Sequence, residues 1–366
     1  MEPVTHLLSG ACLGRSGFNR TTAYATLTMV LAAEAPDIDL LWGLRGPVAE
    51  FQHHRGITHT FLGAPFMALL ITGAIWLWHR WRTRGKVQRA RYIAGSQSNR
   101  PDQHSPPVRW RWIWFLALIA DLSHLLLDWT NNYGLRPFFP FNPHWYAGSL
   151  FFIFEPVFFA GLLLALLIPA ILGLADREIG VRRTMFHGRG WAIFALGVGV
   201  VLGCWRWAEQ ARALELLAQQ NFQNEPVLNM TVNPYPGDVF QWFGVVETRD
   251  FYQTGMLNTR TDSFTSEAPD NLYYKQPQTR AILTAKRSWL GHAFLDWSKY
   301  PFVAQRGTFD VLHDGEHYTQ VHFEDLRFAY DVLFLHGRRA NPLGGTVFIA
   351  PSGEVDEMRM NGRKQK

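Results

Sequence analysis

Apolar residues fall in long blocks over the first 208 positions and in short runs afterwards. Phe61 to Trp78 is 18 residues without a charge, and 112–130, 150–174 and 191–207 form three further apolar blocks. About 20 such residues cross the hydrocarbon core as a helix, so the pattern predicts four spans. Two shorter runs, 3–14 and 21–33, are separated by the glycine-marked GRSGFNR and closed by Pro36. Each is too short for a span, which predicts a helical hairpin dipping into the membrane. From residue 209 the pattern changes. Glu209–Gln220 and Thr279–Asp296 read as helical, while Val239–Thr248, Thr308–Val311, Tyr318–Phe323 and Val332–Leu335 are β-like runs with turn signals at Pro236-Gly237 and Asp314-Gly315. The predicted architecture is a polytopic α-helical membrane bundle over 1–208, with four spans plus the N-terminal hairpin. An α+β domain over 209–358 and a frayed basic tail at 359–366 complete it.

Composition supports the division. Hydrophobic residues are 48% and charged residues 18% of the 366, apolar-rich and charge-poor for a soluble chain. The formal net charge of +5 would suit an acidic partner, but its distribution argues against nucleic acid. Segment 80–111 holds nine Lys and Arg, 175–190 holds four, and the hairpin tip holds Arg15 and Arg20. The alternate segments, 35–60 and 132–149, hold only Arg45, Arg55 and Arg136. Basic residues mark the cytoplasmic side of a membrane protein, so the C-terminal domain is expected outside the cytoplasm. Cys12 and Cys204 lie in apolar segments, without metal-type spacing, and read as small buried residues. The N-terminus lacks the pattern of a removable signal peptide.

The chemistry lies where polar residues interrupt this pattern. Asp121, His124 and Asp128 fall at spacings of three and four inside the 112–130 block, on one helical face. Ionisable groups at membrane depth cost at least a few kcal/mol, so three together call for a purpose. The topology brings their outward end to the same surface as His6, Asp37-Ile38-Asp39 and the segment His53-His54-Arg55-Gly56-Ile57-Thr58-His59. The candidate ligands are His6, Asp37, Asp39, His54, His59, His124 and Asp128, a nitrogen and oxygen set suited to zinc, with manganese the alternative, and large enough for one or two ions. Arg55 stands where it would neutralise a developing oxyanion, and Thr58 and Thr60 where they would hydrogen-bond the ligands. Each residue also has a plainer reading. His6 alone would be a packing residue, Asp37 and Asp39 a helix cap, and His124 with Asp128 an interhelical pair or part of a proton path. In the C-terminal half, His292, His313, His317, His322 and Asp296 show no tight ligand pattern and read as solvated. Trp242, Trp289 and Trp297 read as core or interface residues.

These motifs resemble a known family. Thr5-His6 with Gly10, Pro36-Asp37-Ile38-Asp39, His54 to Thr60, and His124 to Asp128 followed by Gly134 and Pro140-Phe141 resemble the YdjM-type (DUF457) inner-membrane proteins, in a long form with a C-terminal soluble domain. The resemblance covers about residues 1–160. It implies a multi-pass protein of the bacterial inner membrane and a metal-dependent hydrolase with the seven His and Asp ligands above. The chain departs in having Asn131 where the family tends to have Thr, and Glu155-Pro156 where longer members have Asp-Pro. Glu155 thereby joins Arg55 as a candidate catalytic residue, as a ligand or base. His144 lies near the site in sequence.

The ligand style is also similar to that of zinc-dependent phospholipase C and P1-type nucleases, which favours a phosphoester, lipid-derived or small, among membrane lipid. No nucleic-acid partner is expected. Two other functions remain open: an ion-binding transporter, which paired inverted repeats would have supported, and a membrane-anchored binding protein.

Overall fold

The computed structural model describes residues 1–92, 106–178, 188–266, 270–310, 317–329 and 343–366. The run 332–335, the turn at Asp314-Gly315, His313 and parts of both basic segments lie outside the described residues.

The hairpin forms as the breaks predict. Helix α1 (Pro3–Arg15) starts on a proline at its first position and is capped by Glu2, which accepts from the Thr5 amide. Helix α2 (Ala25–Glu34) folds back against it. The two approach closely because α1 presents glycine. A Cβ on Gly10 would lie 2.5 Å from the Met29 carbonyl oxygen, and one on Gly14 2.8 Å from Thr26 Cα. A 3-10 helix, Ala35–Arg45, carries Asp37 and Asp39 and is followed by α3 (Pro47–His53).

The long helices are α4 (Gly63–Tyr92), α5 (Trp110–Thr130), α6 (Pro156–Glu178) and α7 (Arg189–Ala218). Among the described residues three helices, α5, α6 and α7, are long and apolar enough to cross a membrane; the segments 47–59 and 63–84, bent by 85° at their junction, would make a fourth only if taken as one broken span. The expected four unbroken spans are thus corrected to three, or four with a bent one. The break falls between His59 and Gly63, directly after the segment Arg55 to His59 that carries polar residues of the cluster. Helix α5 buries one stripe, Ile113, Leu116, Ala117, Ala120, Asp121, His124 and Asp128, the spacing that the sequence showed.

The run Glu209–Gln220 is no separate helix; α7 continues through it, and its last turns, Ala213 and Leu217, pack on Trp242, Val246 and Leu257. This first antiparallel sheet runs β1 (Asn229–Pro234), β2 (Gln241–Glu247), β3 (Phe251–Asn258), β4 (Ser263–Thr265), with β5 (Leu272–Tyr274) also on β3. The predicted helix 279–296 is two, α8 (Arg280–Arg287) and α9 (Trp289–Trp297), because Ser288 ends one and caps the next by accepting from the Gly291 amide. Both cover a second antiparallel sheet of order β10-β9-β8-β7-β6, made of β6 (Pro301–Asp310), β7 (His317–Asp325), β8 (Gly345–Ile349), β9 (Val355–Met360) and β10 (Arg363–Lys364). The terminal residues are not frayed. Arg363 pairs with Met360 and Lys364 with Arg359, and Gln365 reaches back to accept from the Val48 amide and donate to the Arg45 carbonyl.

The second sheet and the membrane helices share one core. Val48 and Phe51 of α3 and Tyr133 after α5 are buried with Phe294, Trp297 and Phe323, and Phe51 stacks on Phe294 at 5.9 Å between ring centroids. Trp297 Nε1 donates to the Tyr133 carbonyl and Arg327 to the Asn132 carbonyl. The α+β domain therefore sits directly against the residues that follow α3 and α5.

Candidate metal centre

His124 is set by the helix on which it stands. Its Nδ1 lies 2.7 Å from the Ala33 carbonyl oxygen at the end of α2. A carbonyl can only accept, so Nδ1 carries the proton and Nε2 presents a lone pair. His59 lies between two carboxylates, its Nδ1 3.1 Å from Asp39 Oδ2 and its Nε2 3.2 Å from Asp37 Oδ1; in the neutral ring with the proton on Nδ1, Nε2 presents a lone pair. The two Nε2 atoms face each other at 3.1 Å, and no proton lies between them in these tautomers.

Carboxylate oxygens close the group. Asp37 Oδ1 is 3.2 Å from His59 Nε2 and 3.7 Å from His124 Nε2. Asp128 Oδ2 is 3.6 and 3.5 Å from the same two atoms and has no hydrogen bond of its own. His6 lies on the far side, stacked on His124 at 3.8 Å between ring centroids, with Nε2 3.3 Å from Asp128 Oδ1; neither of its nitrogens is hydrogen-bonded. His6, His59 and His124 are fully buried and Asp128 nearly so.

With both rings neutral and protonated on Nδ1, these four atoms are all acceptors at 3.1–3.7 Å, and a cation among them would replace the proton that a charged His59 would otherwise hold. Ligands held about 2.0–2.1 Å from a tetrahedral zinc lie about 3.3 Å apart, so the spacing fits such an ion. The donor set fits it too, being imidazole and carboxylate only. Three groups of donor atoms lie within 4.8 Å of one another: His6, His124 and Asp128; Asp37, His59 and His124; and Asp37, Asp39 and His54. All seven sequence-derived candidates are thus brought together, with Asp37 and His124 each shared by two groups. Asp37 is the carboxylate placed between the buried groups and the more open one with His54.

Asp39 is the brace of the open side. It accepts from the Arg55 amide at 2.7 Å and the Thr58 hydroxyl at 3.2 Å, and lies 3.2 Å from His54 Nδ1. Burial opposes its ionisation, yet the hydrogen bonds from His54 and His59 outweigh that and hold its carboxyl well below the usual carboxylate range.

Arg55 sits at the kink with a left-handed backbone (φ 56°), a conformation rare outside glycine and concentrated at functional sites. Its guanidinium donates to Asp128 at 2.8 Å, the Gly134 carbonyl at 2.7 Å and Asn131 Oδ1 at 3.2 Å. The Met1 amino group also contacts Asp128. Arg55 is therefore a positioning residue for Asp128, and only its Nε is without a hydrogen bond; the expectation of a guanidinium fork offered to an oxyanion does not fit. Thr58 touches Asp39 and His59 as expected. Thr60 does not touch a ligand; its hydroxyl accepts from the Gly63 amide at the start of α4.

Glu155 is not among the metal-capable groups of the described residues. It pairs with Arg206 at 2.9 Å and accepts from the Gly237 amide, both side chains fully buried. Its carboxylate ties the start of α6 to α7 and to the Gly237 turn, apart from the three donor groups. Asp121 is buried with both oxygens free of hydrogen bonds and stands outside the three groups. His144 is exposed, its ring edge-on to Tyr146. His322 spans Thr346 and Glu324 on the sheet surface. Trp242 and Trp297 are buried, whereas Trp289 is partly exposed.

Asn131 was not singled out as functional. Its Oδ1 accepts from Arg55 and from the Tyr133 and Gly134 amides, while Nδ2 donates to Asp128 at 3.3 Å. Asparagine directly after a helix is a turn signal, and that signal was legible.

Above the open side is a cavity of about 280 Å³. Asp37, His54 and Arg55 line its base, and residues of the C-terminal sheet line its far wall.

Comparison with known proteins agrees with the membrane half. An uncharacterized protein, YfhP, of Bacillus subtilis (strain 168) is 26% identical over 158 residues, 41% of this chain and 40% of that relative. The alignment thus spans well under two thirds of the relative. No solved structure matches the chain. Residues 1–213 match the family described as YdjM inner membrane protein, and with its several membrane-spanning helices the chain belongs to that family.

Proposed function

We propose that this chain is a membrane-embedded, metal-dependent hydrolase acting on a phosphoester, lipid-derived or small, at the outer face of the inner membrane. The observation that carries the reading is the meeting of the His59 and His124 Nε2 atoms with Asp37 and Asp128 oxygens at 3.1–3.7 Å. His6, Asp37, His59, His124 and Asp128 would hold one ion, zinc or manganese, and Asp37, Asp39 and His54 a second. A bound divalent ion polarises a phosphoryl oxygen and lowers the pKa of water toward neutrality. The chain's own residues orient that chemistry. Arg55 and Asn131 fix the rotamer of Asp128, Asp39 fixes the tautomer of His59, and the α2 carbonyl of Ala33 fixes that of His124. Asp37 is the carboxylate that both ions would share beside the cavity, while Asp39 is braced by Arg55 and Thr58 and Glu155 is bound to Arg206.

The outer face is supported by the excess of Lys and Arg in the segments opposite the site. The shared core of α3, Tyr133 and the second sheet puts site and C-terminal domain together, so one orientation serves both. The test is hydrolysis of bis(p-nitrophenyl) phosphate by purified protein, with and without His124→Ala. Metal-dependent turnover lost in the variant supports the enzyme. Stoichiometric metal without turnover on this or phospholipid esters leaves an ion carrier, a reading that the unpartnered Asp121 inside α5 favours.

A further inference from the structure

The cavity above the metal groups is built by both halves of the chain. Its base is Asp37, His54 and Arg55, and its far wall is Leu343, Asn361 and Arg363. At about 280 Å³ it is at the lower limit of small-ligand sites, room for a headgroup and not for a whole lipid. The Arg55 guanidinium is committed to Asp128, Asn131 and Gly134, so the two nitrogens that would form a fork for an anion are occupied. Arg363 is different. Its backbone is fixed, by the pairing of β10 with β9 and by Gln365 bridging Val48 and Arg45. Its head makes one ion pair, with Glu50 Oε2 at 3.0 Å, and its side chain is 60% exposed. A pair so exposed to water is weak, so a competing anion can displace it.

Apart from Glu2 and Glu50, the rest of the cavity lining is mainly apolar, with Pro3, Leu40, Pro47, Phe51 and Ile153. Leu40 lines it and is 41% exposed. It belongs to the 3-10 helix on which Ile38, Leu41 and Leu44 are also exposed, Leu44 to 82%. On the same segment Arg45 stacks over Trp42 at 4.6 Å, a pairing at home in the interfacial belt of a membrane. A headgroup-sized cavity with an exchangeable cation, beside a 3-10 helix that exposes Ile38, Leu41 and Leu44 on one face, describes a site for an anionic amphiphile.

We propose that Arg363, carried on the C-terminal hairpin, is the residue that reads the phosphate-bearing headgroup of the substrate, leaving Glu50 for it while the apolar chain lies over the 3-10 helix. This rests on the metal-hydrolase reading and adds to it a substrate class and a function for the second domain. Glu50 lines the cavity but is partly exposed to solvent, and of the other carboxylates there Asp37 belongs to the metal groups and Glu2 is hydrogen-bonded by Thr5.

The test uses the full-length, zinc-loaded protein in phosphatidylcholine nanodiscs, titrated calorimetrically with dodecylphosphonate and with methylphosphonate, neither of which has an ester to hydrolyse. Arg363→Ala is expected to weaken dodecylphosphonate binding about tenfold or more, the loss of a charge-assisted hydrogen bond. Glu50→Gln, which frees Arg363, is expected to tighten it. Zinc content stays the same in both. A merely structural clamp would make both variants bind more weakly, and that result, or no change in either, overturns the assignment of Arg363. Methylphosphonate binding as tightly as dodecylphosphonate, with the same opposite response of the variants, supports Arg363 with a water-soluble source of the headgroup. A wild-type protein without zinc overturns the metal reading and this one with it; a zinc-holding protein whose variants respond alike overturns this one only.

Discussion

Arg55 braces two carboxylates at once, Asp128 through its guanidinium at 2.8 Å and Asp39 through its backbone amide at 2.7 Å. The two aspartates sit on different sides of the cluster, so one kinked residue sets the spacing between them. Arg55→Lys keeps the charge and the backbone amide but loses the planar fork. Metal affinity, measured by competition with a chromogenic chelator, is expected to fall about 10- to 100-fold, the usual effect of removing a residue that orients ligands. An unchanged affinity would show that Asp128 needs no such support.

Glu155 is expected to be structural. Glu155→Ala takes the carboxylate partner from the buried Arg206, and breaking a buried pair in this way costs about 3–5 kcal/mol. The thermal midpoint in detergent should fall steeply, while folded protein recovered at low temperature binds metal normally. Selective loss of metal with an unchanged midpoint would return Glu155 to the site.

Asp121 is buried within α5 and both of its oxygens lack hydrogen bonds, so it opposes folding in this arrangement. Replacing an unsatisfied buried polar group by an apolar one of similar shape is neutral or stabilising. Asp121→Leu is expected to keep or raise the thermal midpoint and to leave metal content unchanged. A loss of turnover with metal retained would assign Asp121 a part in proton or ion movement.

The C-terminal domain carries its own acid-sensitive lock. Asp325 is fully buried; burial would raise its carboxyl, but Arg327 and the Ser298 hydroxyl outweigh burial and hold it below its ordinary value. A depressed folded-state pKa means stabilisation that is complete above the unfolded value of about 3.9 and lost as pH falls below it. Wild-type stability is therefore expected to drop below about pH 4, more steeply than that of Asp325→Asn, which is already less stable at neutral pH. Parallel curves for the two proteins would contradict the lock.

Much of this was legible in the chain. The three- and four-residue spacing of Asp121, His124 and Asp128 gave the buried face of α5, and the breaks at GRSGFNR and Pro36 gave the hairpin. The ligand histidines and aspartates stood out because apolar surroundings make a polar residue conspicuous. What spacing could not give was partner choice. Glu155 and Arg55 look alike as charged residues near a membrane surface, and only the fold shows that Arg206 occupies one and Asp128 the other. Periodicity also misses a shared serine, so α8 and α9 read as one helix. The tail read as frayed because its Lys and Arg are polar, yet Gln365 docks on the Val48 amide across the whole sequence.

The most direct test is the metal-to-protein ratio of the purified full-length protein, by mass spectrometry of the elements after loosely held ions are removed. The expected result is one or two zinc or manganese ions per chain in the wild type and a loss of at least one in His124→Ala. A wild type with no stoichiometric metal, or a His124→Ala protein that keeps its full complement, would contradict a cation held between His59 and His124.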